Sequence, residues 1–214
     1  MLPTDFRIWP FSALVRRIGA IPSTYTAAEQ TLTAQIPIMI FPGGDHEALR
    51  PIYHAHRVDF GGRLGFLRIA RAARVPIVPL GIRGSHFTAP VLVRSKTLAS
   101  LLVQPRLIGV KRWGISLLGV IGAVALAVLA PLPWPVRAAL VWFWLGTPFV
   151  FLPWVPWTIR MRIGELIVES ALFALENPVE TDAELLAALR QVEGAVQALV
   201  DSGGAAGRKS ANAG

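Results

Sequence analysis

"IPIMIFPGGDHEALRPIYHAHRVDFGGRLGFLRIARAARVPIVPLGI", residues 36–82, decides the fold class. Ile36–Phe41 is a short apolar run ended by Pro42-Gly43-Gly44, the pattern of a buried strand feeding a loop. Gly65–Arg74 carries Phe66, Ile69, Ala70 and Ala73 at helical spacing, which predicts a helix with one apolar face. Pro76–Ile82 is a second apolar run and predicts a second buried strand. Strand, loop, helix and strand in that order predict a right-handed parallel crossover, hence an α/β fold.

The polar chemistry of the chain is concentrated between those two runs. Residues 41–66 hold five glycines, three histidines, three arginines, two aspartates and one glutamate. Gly43-Gly44 suits either a tight turn or a loop that turns backbone N–H groups toward an anion. Glu47 and Arg50 suit either a ligand site or an ion pair at a solvated helix start. Arg63 suits either a ligand or an internal pair with Asp59. His54 and Asp59 have the spacing of a catalytic pair. His46 and His86 fall in loops with no partner evident from sequence. The four histidines do not form a metal-ligand pattern, and there is no cysteine, which removes a disulfide framework and a thiolate zinc site.

Composition widens the picture. Of the 214 residues, 53% are hydrophobic and only 16% charged, against about 25% in ordinary soluble domains, and mean hydropathy is +0.52. The net charge is +8 and the pI about 11.2. A basic excess suits nucleic acid or an anionic lipid surface. The cations are not grouped with aromatic residues in a nucleic-acid-binding pattern. Low polarity and seven tryptophans favour lipid.

The apolar excess is localised. Between Trp113 and Ile159 the only charge is Arg137, and prolines stand at 131, 133, 135, 148, 153 and 156. Each half is about long enough to cross a bilayer core, which takes about 20 residues. Tryptophans at 113, 134, 142, 144, 154 and 157 suit the headgroup interface, and Lys111-Arg112 and Arg160 flank the segment on one side. Residues 113–157 therefore predict an apolar helical hairpin. It either spans the membrane with both ends cytoplasmic or lies in one leaflet, and a buried helix pair in a soluble core is the third reading. Arg137 is expected to reach headgroups.

The flanks complete the organisation. Residues 1–22 predict an amphipathic helix rather than a signal peptide, because Asp5, Arg7 and Arg16-Arg17 interrupt any apolar core. Thr158–Glu165 alternates as a strand. Thr181-Asp182-Ala183-Glu184 can cap a last helix with Leu185, Leu189, Val192, Val196 and Leu199 on its apolar face. The expected divisions are 1–112 and 158–201 as α/β core, 113–157 as membrane hairpin, and 202–214 as a disordered Gly/Ala/Ser tail.

Five pieces in order resemble the glycerolipid (lysophospholipid and diacylglycerol) acyltransferase superfamily. Arg17–Pro22 is similar to its second block. Phe41-Pro42-Gly43-Gly44 through Glu47 and Arg50-Pro51 is similar to its third block in the "FPGG" form. Arg63-Leu64-Gly65-Phe66 and Val75–Leu80 are similar to the segment after it and the fourth block. "TIRMRIGELI", 158–167, is similar to a late strand. The resemblance implies an acyltransferase-like sheet flanked by helices. It implies transfer of an acyl chain from acyl-CoA or acyl carrier protein, as co-substrate, to a lipid hydroxyl, with no further cofactor. It assigns Arg17, Gly43, Gly44, Glu47 and Arg63 to substrate binding. Acyl transfer needs a base for the hydroxyl and donors for the oxyanion. The family's His-x4-Asp block precedes the second block, and no histidine precedes Arg17. His54 and Asp59 come after the glycine loop, in the wrong order for that block. The expectation is a catalytic block encoded upstream of Met1, with a non-catalytic membrane-binding relative as the alternative. The expected location is the cytoplasmic face of the inner or plasma membrane. The acceptor lipid and the oligomeric state stay open.

Overall fold

The computed structural model describes residues 17–107, 109–110, 112–173 and 181–211, with side chains to 203. The helix expected over residues 1–22 lies almost wholly outside the described residues. In chain order the helices are α1 (Tyr25–Thr33), α2 (Gly44–Ala48), α3 (Gly65–Ala73), α4 (Ser85–Thr88), α5 (Lys96–Leu101), α6 (Gln104–Leu107), α7 (Leu117–Leu129), α8 (Trp134–Gly146), α9 (Glu169–Leu172) and α10 (Asp182–Ala211). The strands are β1 (Leu80–Arg83), β2 (Val91–Ser95), β3 (Trp113–Ser116) and β4 (Arg160–Ile163). The chain is mixed α/β, as expected. Its contacts form two units, one of residues up to Gly44 with Val58–Ile82 and Met161–Gly214, the other of Asp45–Arg57 with Arg83–Arg160.

In the first unit, α10 supplies the long wall of the core. Leu185, Ala188, Leu189 and Val192 are buried against Phe60, Leu67, Leu172 and Phe173, with Val196 half-buried beside them. This is the face its 3.6-residue period predicts. Thr181 caps the helix as expected, its Oγ1 accepting from the Glu184 amide at 3.4 Å. Polar residues of α10 hold an irregular segment in place: Gln197 Oε1 accepts from Val58 N and Glu193 Oε1 from Phe60 N, both at 2.7 Å. Arg71 of α3 pairs with Glu184 at 2.9 Å and lies 5.8 Å from the Phe173 ring centre. The helical backbone of α10 continues through Ala211, past the Ser202 boundary where disorder was expected.

Three expectations for this unit are corrected. Ile36–Phe41 is not a buried strand. Gln35 turns left-handed at φ 60° after α1, and the Ile36 amide closes back on Thr31 O at 3.1 Å, so the run begins as a helix stop. Pro37 offers no ladder donor, and Met39 and Phe41 stay 66% and 65% exposed. The parallel crossover is absent among the described residues. β1 pairs with β4, and Ile77 bridges Ile167 in the antiparallel sense. Finally, α3 forms where expected, but its buried face centres on Leu67 and Ala70, with Phe66 and Ile69 only half-buried.

In the second unit, β2 and β3 pair antiparallel from Val91–Ser116 to Ser95–Trp113. Trp113, which the hydropathy pattern places at the start of an apolar helix, is instead a strand residue 3% exposed. It packs with Ala99, Leu102 and Val150, and its Nε1 donates to Leu145 O at 2.7 Å. α7 and α8 then form an antiparallel pair joined through Pro131-Leu132-Pro133. Each has 13 residues, about 20 Å of helix. No helix among the described residues is long and apolar enough to cross a membrane. The prolines shorten both runs from within. Arg137, expected at headgroups, folds over the turn and donates to Leu132 O and Ala127 O, each at 2.8 Å, satisfying the carbonyl end of α7.

Candidate functional site

The glycine loop belongs to the first unit. Gly43 is buried and Gly44 stands at φ +48°, a left-handed turn that side chains resist. The Gly44 amide is used within the loop, donating to Phe41 O at 3.3 Å. Arg63 lies across the turn, its Nη1 donating to Pro42 O at 3.5 Å, and a Cβ on Gly44 would run into that guanidinium. So Gly43, Gly44 and Arg63, assigned together from sequence, meet in space. Asp59 Oδ1 accepts from the Gly61 amide at 2.8 Å, closing a turn of its own. Arg17 is exposed and makes no hydrogen bond or ion pair with this loop among the described residues.

Glu47 and the histidines His46, His54, His56 and His86 lie in the second unit. Glu47 pairs with Arg50 at 2.9 Å, and Arg50 is only 5% exposed. The ion-pair reading of these two residues holds in the structure. His46 and His86, which seem partnerless in sequence, both have partners. Arg94 donates to His46 O, and Arg112 Nη1 stands 2.7 Å from His46 Nδ1. An arginine only donates, so His46 Nδ1 is the acceptor in this contact. Arg83 Nη2 stands 3.2 Å from His56 Nε2, which is the acceptor there by the same reasoning. His86 Nε2 lies 3.0 Å from Glu47 O, a pure acceptor, so this nitrogen carries the proton; its Nδ1 faces Ser85 Oγ at 3.5 Å.

Burial pushes the His86 pKa below 6.5, and the Arg50 charge adds to this; the bond to Glu47 O and the Glu47 carboxylate pull the other way. The net effect favours neutral imidazole. Arg50, Arg83, Arg94 and Arg112 thus make contacts within or onto the segment Asp45–Arg57. Such a grouping favours an anionic ligand, and the cations also stabilise the carbonyl end of the one-turn helix α2. His54 is exposed and its ring meets Tyr53 edge-on at 4.7 Å. Among the described residues, no three metal-ligating side chains group together.

Sequence reasoning missed Arg94, Arg112 and Arg83 as members of the cluster. They lie 48, 66 and 27 residues from their partners, and no local pattern links them. No protein family, characterised protein or solved structure matches the chain.

Proposed function

We propose that the protein is a membrane-bound acyltransferase that moves an acyl group from acyl-CoA or acyl carrier protein to the hydroxyl of a glycerolipid or lysophospholipid. One observation carries the reading: two of the five residues that the resemblance assigns to substrate binding, Gly44 and Arg63, meet at a left-handed turn with the guanidinium over the glycine. A side chain at that position would displace the arginine, and a forked cation is the group suited to a phosphate or glycerol oxygen. In the transfer, the acceptor hydroxyl attacks the thioester carbonyl, its proton goes to a base, and the thiolate leaves. The resemblance places that base in a His-x4-Asp block ahead of Arg17.

The exposed apolar surface of the α7–α8 pair supports attachment to a membrane, for which the proposed side is the cytoplasmic face of the inner or plasma membrane. Val128, Leu129 and Trp134 at its turn are 69%, 76% and 76% exposed, and Phe143 is 57% exposed. Thirteen residues per helix suit shallow burial in one leaflet rather than a full crossing. The assay is transfer of labelled acyl chains from acyl-CoA to a panel of lysophospholipids and diacylglycerol, using the protein purified as the cell makes it. Labelled lipid is expected; none across the panel would reject the enzyme reading.

A second reading, a non-catalytic membrane-binding relative, is favoured by the self-satisfied loop: the Gly44 amide and Arg63 both bond to loop carbonyls. It predicts vesicle binding without turnover.

A further inference from the structure

In the second unit, a cleft is lined by Lys96, Thr97, Ser100, Arg106, Gly109 and Val110. Among the described residues, no carboxylate lines it. Arg106 donates to Ser100 Oγ, so the guanidinium is tethered beside the hydroxyl, and Ser100 Oγ in turn donates to Lys96 O at 3.3 Å. Two cations and the Thr97 hydroxyl on one short stretch are donors that an anionic oxygen cluster takes, with Ser100 holding the Arg106 guanidinium in place.

The same stretch is apolar where a soluble surface would be polar. Leu101 and Leu107 are 67% and 76% exposed and Val103 is 46% exposed, while Leu102 and Pro105 between them are buried. Single exposed leucines are ordinary; three large apolar residues within seven positions beside two cations are not. Val103 also stands at φ +60°, a genuine outlier for a β-branched residue. Trp142 Nε1 donates to Leu101 O at 3.1 Å, fastening the stretch to α8.

We infer that residues 96–107 with Gly109 and Val110 form a docking surface for anionic phospholipid. The Lys96–Arg106 cleft takes the lipid phosphate, and Leu101, Val103 and Leu107 enter the acyl layer beside it. The inference rests on the membrane reading above and adds to it a named lipid chemistry and a named place. Basic residues at headgroup level beside inserted apolar ones are how peripheral surfaces combine charge attraction with apolar burial.

The test is co-sedimentation of the full chain with phosphatidylcholine vesicles, with and without added phosphatidylglycerol. Wild type should bind the phosphatidylglycerol vesicles more tightly, and added salt should reduce that gain. The double variant Lys96→Glu/Arg106→Glu should lose at least about tenfold of it. Arg57→Glu/Arg74→Glu, which makes the same change of charge at exposed positions elsewhere, should lose no more than about threefold, since the phosphate contact stays intact. Leu101→Ser/Leu107→Ser should weaken binding to both vesicles. Thermal melts of each variant establish that it is folded before it is compared.

Equal losses in the two charge variants would overturn the site in favour of diffuse attraction. Binding to both vesicles alike would overturn it while leaving the attachment by α7 and α8 standing. Binding to neither would overturn both. Release by millimolar glycerol phosphate at constant ionic strength would overturn it in favour of a site for soluble phosphate esters. Vesicle binding unchanged in all variants would show that the stretch is covered by something other than lipid.

Discussion

His86 titrates against its surroundings. Burial holds its folded pKa below 6.5, so between the lowered value and 6.5 the unfolded chain binds more protons than the folded one. The stability contributed by neutral His86 is complete above about pH 6.5 and is lost as pH falls through the folded pKa. Melting temperature should therefore drop on going from pH 7.5 to 5.5. In His86→Gln, whose amide can still donate to Glu47 O, the drop should be smaller; an unchanged drop would place the acid-sensitive group elsewhere. Gly44 gives a second test at this scale. In Gly44→Ala, the new methyl meets only the far end of Arg63, which can swing away, so the lasting cost is the left-handed backbone, about 1–2 kcal/mol. Adding Arg63→Ala should recover little of it in urea unfolding. Substantial recovery would mean that the guanidinium, and not the backbone, sets the cost.

At the scale of elements, the α7–α8 pair discriminates packing from propensity. Helix propensity alone would make Gly122→Ala stabilising by up to about 1 kcal/mol. Yet a Cβ there would enter the Trp144 indole, whose Nε1 is tied to Gly119 O at 3.0 Å. A rigid, tethered ring cannot retreat as Arg63 can, and the net effect should be destabilisation by about 1–3 kcal/mol. A rise in melting temperature would contradict this packing. In the first unit, Leu185→Ala should cost about 2–5 kcal/mol, because Leu185 is 0% exposed in the α10 core. That core was legible in sequence: Thr181 announces the helix start and the apolar period marks the face. The Ile36–Phe41 strand was misread because the signal that stops α1 is Gln35, which carries none of the glycine signature of a left-handed cap. The parallel sheet was misread because apolar runs specify burial and extension, while pairing direction depends on partners more than 80 residues away, as with Ile77 and Ile167. The histidine contacts were illegible for the same reason.

For the whole molecule, the composition pointed to lipid, and the structure changes how lipid would be met. The two apolar runs are helices too short to cross a bilayer. Their base is built into the second unit through Trp113, Val150 and Leu145. Excising 115–156 would thus remove core as well as apolar surface. The sharper variant is polar substitution at the exposed turn, Val128→Ser/Leu129→Ser/Trp134→Ser, which touches no buried residue. It should lower vesicle binding at least tenfold, since each large apolar side chain kept in water forfeits about 1.5–3 kcal/mol, and should leave the melting temperature within a few degrees of wild type. Retained binding would move the attachment point elsewhere.

The most direct measurement is of chemistry. The protein, purified as the cell makes it, is given radiolabelled acyl-CoA on vesicles carrying lysophospholipids and diacylglycerol, and the lipids are separated. The account predicts label in a newly acylated lipid, with at least a tenfold loss in Arg63→Ala, the size expected for removing a charge-assisted bond of about 1.5–3 kcal/mol to the acceptor. Vesicle-bound protein that yields no labelled lipid with any acceptor would contradict the acyltransferase reading and leave a membrane-binding module in its place.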